Sequence, residues 1–328
     1  MFRRFDRAWE LLRPEGEPDV PAGLVAGVSI MLPLLAGTAL GQTAYGAAMS
    51  LATTLMLYPA PFRLLPLMLV RTAAVTCAGV FAWLSTGHPW LLAAGVTAAA
   101  VAGALWPLLG TTGALAALLI AIMGTPATTG RALIALPGTV QLAGAVWGAA
   151  VVLVLGRLSA TGLPPEPFPR RRRHAARLGV LVGASMSLMA VLGLHVAEGH
   201  WLVTSILNTL QPTTEATGTR YAKRLLGNVL GSGITALILL GHPSAVVTAL
   251  CVGGAGVLAH TYRAANYTYW SIWMPMMLLL LSDFSRPEPW DASLIKMAMN
   301  VVGGLAAVLG ARWLWPAPGA GRDGSAGA

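Results

Sequence analysis

The feature that most constrains the fold is a succession of apolar runs separated by short polar stretches. A helix needs about 20 apolar residues to cross the hydrocarbon core of a bilayer, with a lower limit near 17. The run at 201–211 is too short to cross unless it continues past Pro212 or lies partly in the interface. The sequence predicts an all-α membrane protein with about 12 short transmembrane helices. The predicted spans lie near residues 22–40, 42–57, 64–85, 90–107, 111–124, 136–157, 177–196, 201–211, 221–240, 244–260, 267–282 and 292–314.

Composition excludes a soluble domain. Hydrophobic residues make up 56% of the 328 residues, charged residues only 10%, and the mean hydropathy is +0.69. Soluble domains carry about 25% charged residues, so this chain has too few polar side chains to cover a water-facing surface. Membrane lipids are therefore the predicted surroundings of most of the chain.

The net charge of +9 reflects basic residues placed around the apolar runs, where they set topology. If the N-terminus is inside, 18 of the 21 basic residues lie on the inner side, and only Arg131, Arg286 and Lys296 lie outside. The sequence therefore predicts cytoplasmic N- and C-termini. This arrangement argues against nucleic acid as a partner, because the cations are not clustered on one soluble face.

Prolines and arginines at 159–176 predict a cytoplasmic linker without helix, since proline interrupts helices. The predicted organisation is a first six-helix bundle at 1–158, this linker, a second six-helix bundle at 177–316 and a disordered cytoplasmic tail at 317–328. The run of four arginines at 170–173 is typical of a topology signal, with an anionic-lipid patch as the alternative.

The two halves resemble each other at an offset of 153 or 154 residues. Pro59, Arg71 and Gly156 match Pro212, Arg224 and Gly310, and a Gly-His-Pro turn at 87–89 matches one at 241–243. An even number of helices in each half gives both copies the same orientation. The sequence therefore predicts two parallel six-helix repeats with a substrate path at their interface.

Polar residues mark one part of the second half as a candidate binding site. Cations and glycines recur at spacings of three and four after residue 219, which places them on one helix face. The preceding span is polar for a membrane helix, and such groups are costly in lipid unless they face protein or a wet cavity. With Arg71 of the first half, they predict a cationic vestibule that opens inward. Its candidate substrate-binding residues are Arg71, Thr204, Asn208, Gln211, Arg220 and Arg224, with Gly227 and Gly231 for helix packing.

The segment that begins at Trp201 resembles the fusaric acid resistance (FUSC-like) and aromatic acid exporter family of integral membrane transporters. The resemblance lies in Trp201, Gln211-Pro212, Arg224, Gly227 and Gly231, whereas Asn228 stands where the family pattern has threonine. The first half of the chain carries only a degenerate copy of this motif. The resemblance implies export of small, often aromatic, organic acids across the cytoplasmic membrane of a bacterium.

Several alternatives remain open at this level. The cations would instead snorkel to lipid headgroups, which is the preferred interpretation for Arg63 and Lys223, and Arg224 would instead pair with Glu215. An anion channel of the same fold, or a membrane scaffold without transport, also fits. A homo-oligomer is compatible with the sequence. The aromatic residues at 262–273 are typical of an interfacial belt, with substrate stacking as the alternative.

No enzyme, cofactor or metal is predicted. The sequence contains no phosphate-binding loop of the Gly-x-x-x-x-Gly-Lys-Ser/Thr type and no His-Glu-x-x-His metal motif. Cys77 and Cys251 are isolated from each other and lack metal-ligand spacing. The titratable groups His195, Glu198, His200, Glu215 and Asp283 are candidates for proton coupling, but most lie near span ends.

Overall fold

The computed structural model describes residues 11–57, 64–123, 136–155, 167–193, 196–285 and 291–314. Within these residues the regular secondary structure is entirely helical, as predicted. Twelve helices follow one another, with bounds close to those of the predicted spans. They are α1 (Val20–Ala39), α2 (Thr43–Met56), α3 (Leu64–Leu84), α4 (Pro89–Leu105), α5 (Thr112–Met123), α6 (Thr139–Leu155), α7 (Phe168–Leu192), α8 (Val196–Thr209), α9 (Thr214–Leu240), α10 (Ala245–Tyr262), α11 (Tyr267–Ser285) and α12 (Ala292–Trp313).

Six of these helices, α1, α3, α7, α9, α10 and α12, are long and apolar enough to cross a bilayer. Helices α4, α5 and α6 are apolar but shorter, and α8 has 14 residues. The short helices lie among the long ones. For that reason they need not each match the full bilayer thickness, because backbone ends at membrane depth are tolerated where protein surrounds them.

Helix α7 extends into the stretch predicted to be linker. Pro167 is its N-cap and Pro169 lies in its first turn, where a missing N–H removes no intrahelical hydrogen bond. The four arginines at 170–173 are therefore helical, and the expectation that proline excludes a helix here is wrong from Phe168 onward. Pro59 and Gly156, which supported the repeat, lie outside the described residues.

The helices of the two halves pack in corresponding pairs. Helix α3 packs on α5 and α6, and α9 packs on α11 and α12. Helix α2 packs on α1 and α6, and α8 packs on α7 and α12. The first helix of each half packs on the fourth helix of the other half, α1 on α10 and α7 on α4. The halves therefore interlock.

Glycines allow the tightest of these helix crossings. A Cβ atom on Gly27 would lie 2.6 Å from the carbonyl oxygen of Gly253, where α1 crosses α10. A Cβ atom on Gly46 would lie 2.6 Å from the carbonyl oxygen of Pro33, between α2 and α1. Small residues let helix backbones approach closely, which is how membrane helices gain van der Waals contact without a hydrophobic driving force.

Residues 11–19, which we call the N-terminal strap, lie against the turn between α10 and α11. The side-chain amide of Asn266 donates to the carbonyls of Leu11 at 2.9 Å and Arg13 at 2.7 Å. The backbone N–H of Glu15 donates to the carbonyl of Ala265 at 2.6 Å. These bonds satisfy strap groups that would otherwise need water, and they fix this turn beside the start of α11.

Candidate functional site

A cavity of about 470 Å³ lies between the two halves of the chain, at the ends of several helices. The first half contributes α3 and the connection between α4 and α5. The second half contributes α7, the end of α8, α9 and the turn between α10 and α11. The residues that line the cavity are Arg71, Pro107, Gly110, Thr111, His174, Leu207, Asn208, Leu210, Gln211, Arg220, Arg263, Tyr267 and Trp270.

Three arginines give this cavity its charge. Arg71 is buried, and its Nη1 donates to the carbonyl of Met56 at the end of α2 over 3.3 Å. Arg220 is half-buried, and its Nε donates to the carbonyl of Asn208 near the end of α8 over 2.9 Å. Arg71 and Arg220 thus each bond a helix-end carbonyl that lacks an intrahelical donor. Arg263 lies close enough to Arg71 for the two charges to repel.

The cavity carries a net positive potential because no carboxylate is among its described lining residues. Three cations that share one partly enclosed space attract an anion from solution. The arrangement therefore favours an anion over a cation or a neutral sugar. Arginine also presents a planar fork that fits a carboxylate in two hydrogen bonds.

Aromatic rings form another part of the wall. Tyr267 and Trp270 stack with ring centroids 5.3 Å apart, and the Arg220 guanidinium lies 4.1 Å from the Tyr267 centroid. Trp270 is only 3% exposed, so assigning it to an interfacial belt is wrong. Packing of α11 against α9 turns this side chain inward. The wall thus places aromatic rings beside the cations.

The structure brings four of the six predicted binding residues to the cavity, namely Arg71, Asn208, Gln211 and Arg220. The other two lie behind its wall. The hydroxyl of Thr204 donates to the carbonyl of His200 at 3.0 Å, and its own carbonyl accepts from the Asn208 amide.

Arg224, the sixth predicted residue, is buried and donates from Nη2 to Oδ1 of Asn300 at 3.2 Å. Pairing of Arg224 with Glu215 is wrong, because Glu215 is exposed at the first turn of α9. The acceptor for Arg224 is therefore the side-chain amide of Asn300 and not the carboxylate of Glu215.

Gly227 and Gly231 lie against α11. A Cβ atom on Gly227 would lie 2.5 Å from the carbonyl carbon of Ser271, and one on Gly231 would lie 2.2 Å from the carbonyl oxygen of Ile272. This close crossing sets the distance between α9, which carries Arg220 and Arg224, and α11, which carries the aromatic wall.

Lys223 is not among the lining residues of the cavity and forms an ion pair with Glu15 of the N-terminal strap at 2.5 Å. It is therefore a structural cation on the same helix as the site residues. Arg63, for which lipid snorkelling was also preferred, lies outside the described residues.

Sequence reasoning missed Arg263, His174 and Asn300 as residues of the site. His174 follows the run of four arginines at 170–173, and Arg263 stands between two apolar runs, so topology alone explains both. Asn300 carried a usable signal, since it is a lone amide in the apolar helix α12, and it is buried. Polar groups in such positions mark functional sites or helix contacts.

The comparisons with known proteins agree with the resemblance seen in the sequence. The model of the family described as "Fusaric acid resistance protein-like" matches residues 181–310. A Neisseria gonorrhoeae protein described as "Uncharacterized protein ORF2" is 28% identical over 145 residues, which are 44% of this chain and 34% of that protein. The inner membrane protein YccS of Escherichia coli K12 is 24% identical over 144 residues, which are 44% of this chain and 20% of YccS. The matches thus span 34% and 20% of the length of these two relatives, and no solved structure matches.

Proposed function

Residues 181–310 belong to the fusaric acid resistance protein-like family, and from that premise we propose that this membrane protein exports small organic anions, aromatic acids among them. The observation that carries the proposal is the cavity itself. It is lined by three arginines and two stacked aromatic rings, and its described lining residues include no carboxylate. Its volume falls within the usual range for small-molecule sites, about 300–1,000 Å³.

The chemistry favours a carboxylate attached to a flat apolar group. Arg71, Arg220 and Arg263 attract the anionic end, whereas Tyr267 and Trp270 supply the aromatic part of the wall beside which a ring can pack. Asn208 and Gln211 supply neutral hydrogen-bonding groups beside the cations. An aliphatic acid finds the same cations but fewer ring contacts, so aromatic acids are the preferred substrates.

The proposed architecture is two parallel six-helix repeats, with the cavity at their interface. The corresponding helix pairs of the two halves support this arrangement. Twelve crossings would place every lining residue at the inner ends of its helices. The cavity then opens to the cytoplasm, with both termini on the same side as the basic residues.

Export of an anion needs no ATP when the cell interior is negative, because each charge gains about 2.3 kcal/mol per 100 mV. A transporter or a channel driven by the membrane potential therefore suffices. Relation to the inner membrane protein YccS supports the bacterial cytoplasmic membrane as the location.

The test is efflux of radiolabelled benzoate and benzenesulfonate from proteoliposomes that contain the purified chain. Benzenesulfonate is permanently ionised and does not leak as a neutral acid, and empty liposomes control for leakage. A panel of aromatic and aliphatic acids, measured as growth inhibition with and without expression, then ranks substrates. A chain that leaves efflux at the level of empty liposomes, with or without a potential, is not a transporter of these anions. A scaffold is the remaining interpretation in that case.

A further inference from the structure

Arg224 is a buried cation whose partners are neutral. Its guanidinium donates to Oδ1 of Asn300 at 3.2 Å, and its Nε has no hydrogen-bond partner among the described residues. Within the described part of the chain no carboxylate forms an ion pair with it. A guanidinium held at membrane depth without a counter-charge is unfavourable, so such residues are retained where a charged ligand visits.

Tyr267 links this cation to the cavity. Its ring lines the cavity and lies under Arg220, and its phenol lies close to Arg224, which is not itself among the lining residues. Arg224 follows Arg220 by one turn of α9, which is about 6 Å along the helix axis. The two arginines therefore follow each other along α9, and both lie close to the same tyrosine.

Asn300 is held so that its oxygen faces Arg224. Its Nδ2 donates to the carbonyl of Lys296 one turn earlier in α12, at 3.0 Å, which leaves Oδ1 for the guanidinium. Its backbone carbonyl accepts from the hydroxyl of Ser205 on α8 at 2.6 Å. An amide oxygen in this position mimics one oxygen of a carboxylate without the charge.

A hydroxyl also joins the second and sixth helices of the first half. The hydroxyl of Thr53 on α2 donates to the carbonyl of Gly144 on α6 at 3.2 Å, as Ser205 on α8 does to Asn300 on α12. Gly144 carries no side chain, whereas Asn300 offers its amide oxygen to Arg224. Of these two contacts, the one in the second half therefore includes a polar side chain.

We propose that Arg224 and Asn300 form a second anion site, one helical turn deeper than the cavity, which the substrate enters when the Tyr267 side chain moves aside. The substrate carboxylate replaces the Asn300 oxygen as acceptor for the guanidinium. Lys296, one turn earlier in α12 and with its Nζ 3.2 Å from the Ser282 hydroxyl, offers the next cation toward the predicted outer side. This inference rests on the proposed function, because it deepens the route of the same anion.

The test replaces Asn300 in the full chain and measures binding and flux separately. Asn300→Asp puts a carboxylate within reach of Arg224 and occupies the site with a built-in anion. We expect benzenesulfonate to bind the detergent-solubilised protein within about threefold of the wild-type affinity, whereas efflux from proteoliposomes falls at least tenfold. Asn300→Ser keeps a neutral acceptor and should retain most of the flux.

A purely structural role for Asn300 predicts the opposite order. Asn300→Asp strengthens the contact with Arg224 and would then preserve flux, while Asn300→Ser weakens it and would lose more. Gln141→Glu, a buried amide-to-carboxylate change on α6, is the matched control and should retain flux relative to its abundance.

Wild-type flux in Asn300→Asp, or loss of binding together with flux, overturns the second site. Absence of both binding and flux in the wild-type chain overturns the proposed function itself, and the second site with it. Abundance is measured on the same membranes, so that a variant that fails to fold is recognised. If Asn300→Asp fails to fold, the flux of Asn300→Ser decides between the second site and a purely structural role.

Discussion

Arg263 offers the cleanest test of the cavity charge, because it lines the cavity while being only half-buried at the end of α10. A cavity of about 470 Å³ has the volume of a sphere of about 5 Å radius. At that distance one unit charge attracts another by about 0.8 kcal/mol in bulk water and about 3.3 kcal/mol at an effective dielectric constant of about 20.

Arg263→Gln should therefore weaken anion binding by a factor between about 4 and about 250, since each 1.4 kcal/mol is tenfold. Half-burial of Arg263 places the expected loss near the lower end, about tenfold. Arg263→Lys keeps the charge and should stay within about threefold of wild type. The measurements are equilibrium binding of benzenesulfonate and the KM of efflux, which should rise in parallel.

Arg172→Gln is the matched control. It removes the same charge from an exposed position on α7 that does not line the cavity, so binding should not change by more than about twofold. Unchanged affinity in Arg263→Gln, at normal abundance and with the control behaving as expected, would refute the assignment of the cavity as the anion site.

The remaining predictions concern topology, packing and the strap. In a cysteine-free background, Asp291→Cys should react with an impermeant thiol reagent in intact cells and Glu215→Cys should not. Both positions are exposed, so labelling of Glu215→Cys from outside would overturn the predicted membrane orientation. Gly231→Ala should lower the free energy of unfolding by about 1–3 kcal/mol, because the added Cβ meets the Ile272 carbonyl. Gly233→Ala, with open space around it, should not destabilise the protein, and equal melting temperatures of the two variants would contradict the close crossing. Glu15→Gln breaks the ion pair with Lys223 but should cost no more than about 1 kcal/mol, since the glutamate is largely exposed, and flux should stay within about twofold.

Local sequence signals account for much of the fold. Apolar runs bounded by prolines, glycines and charges gave helix positions close to those of the structure, because helix length and interruption depend on neighbouring residues. The same signals failed at Phe168, where a proline that usually breaks a helix instead begins one.

The sequence by itself determined that this chain belongs in a membrane, and it placed Arg71 and Arg220 among the candidate substrate-binding residues. Only the tertiary structure decided that these arginines, from opposite halves, share one cavity with Arg263, and that Trp270 turns inward. The reason is physical: periodicity shows which residues share a helix face, but what covers that face depends on how closely the backbones approach. Here glycine contacts such as that of Gly231 with Ile272 set the approach, and they join residues distant in sequence.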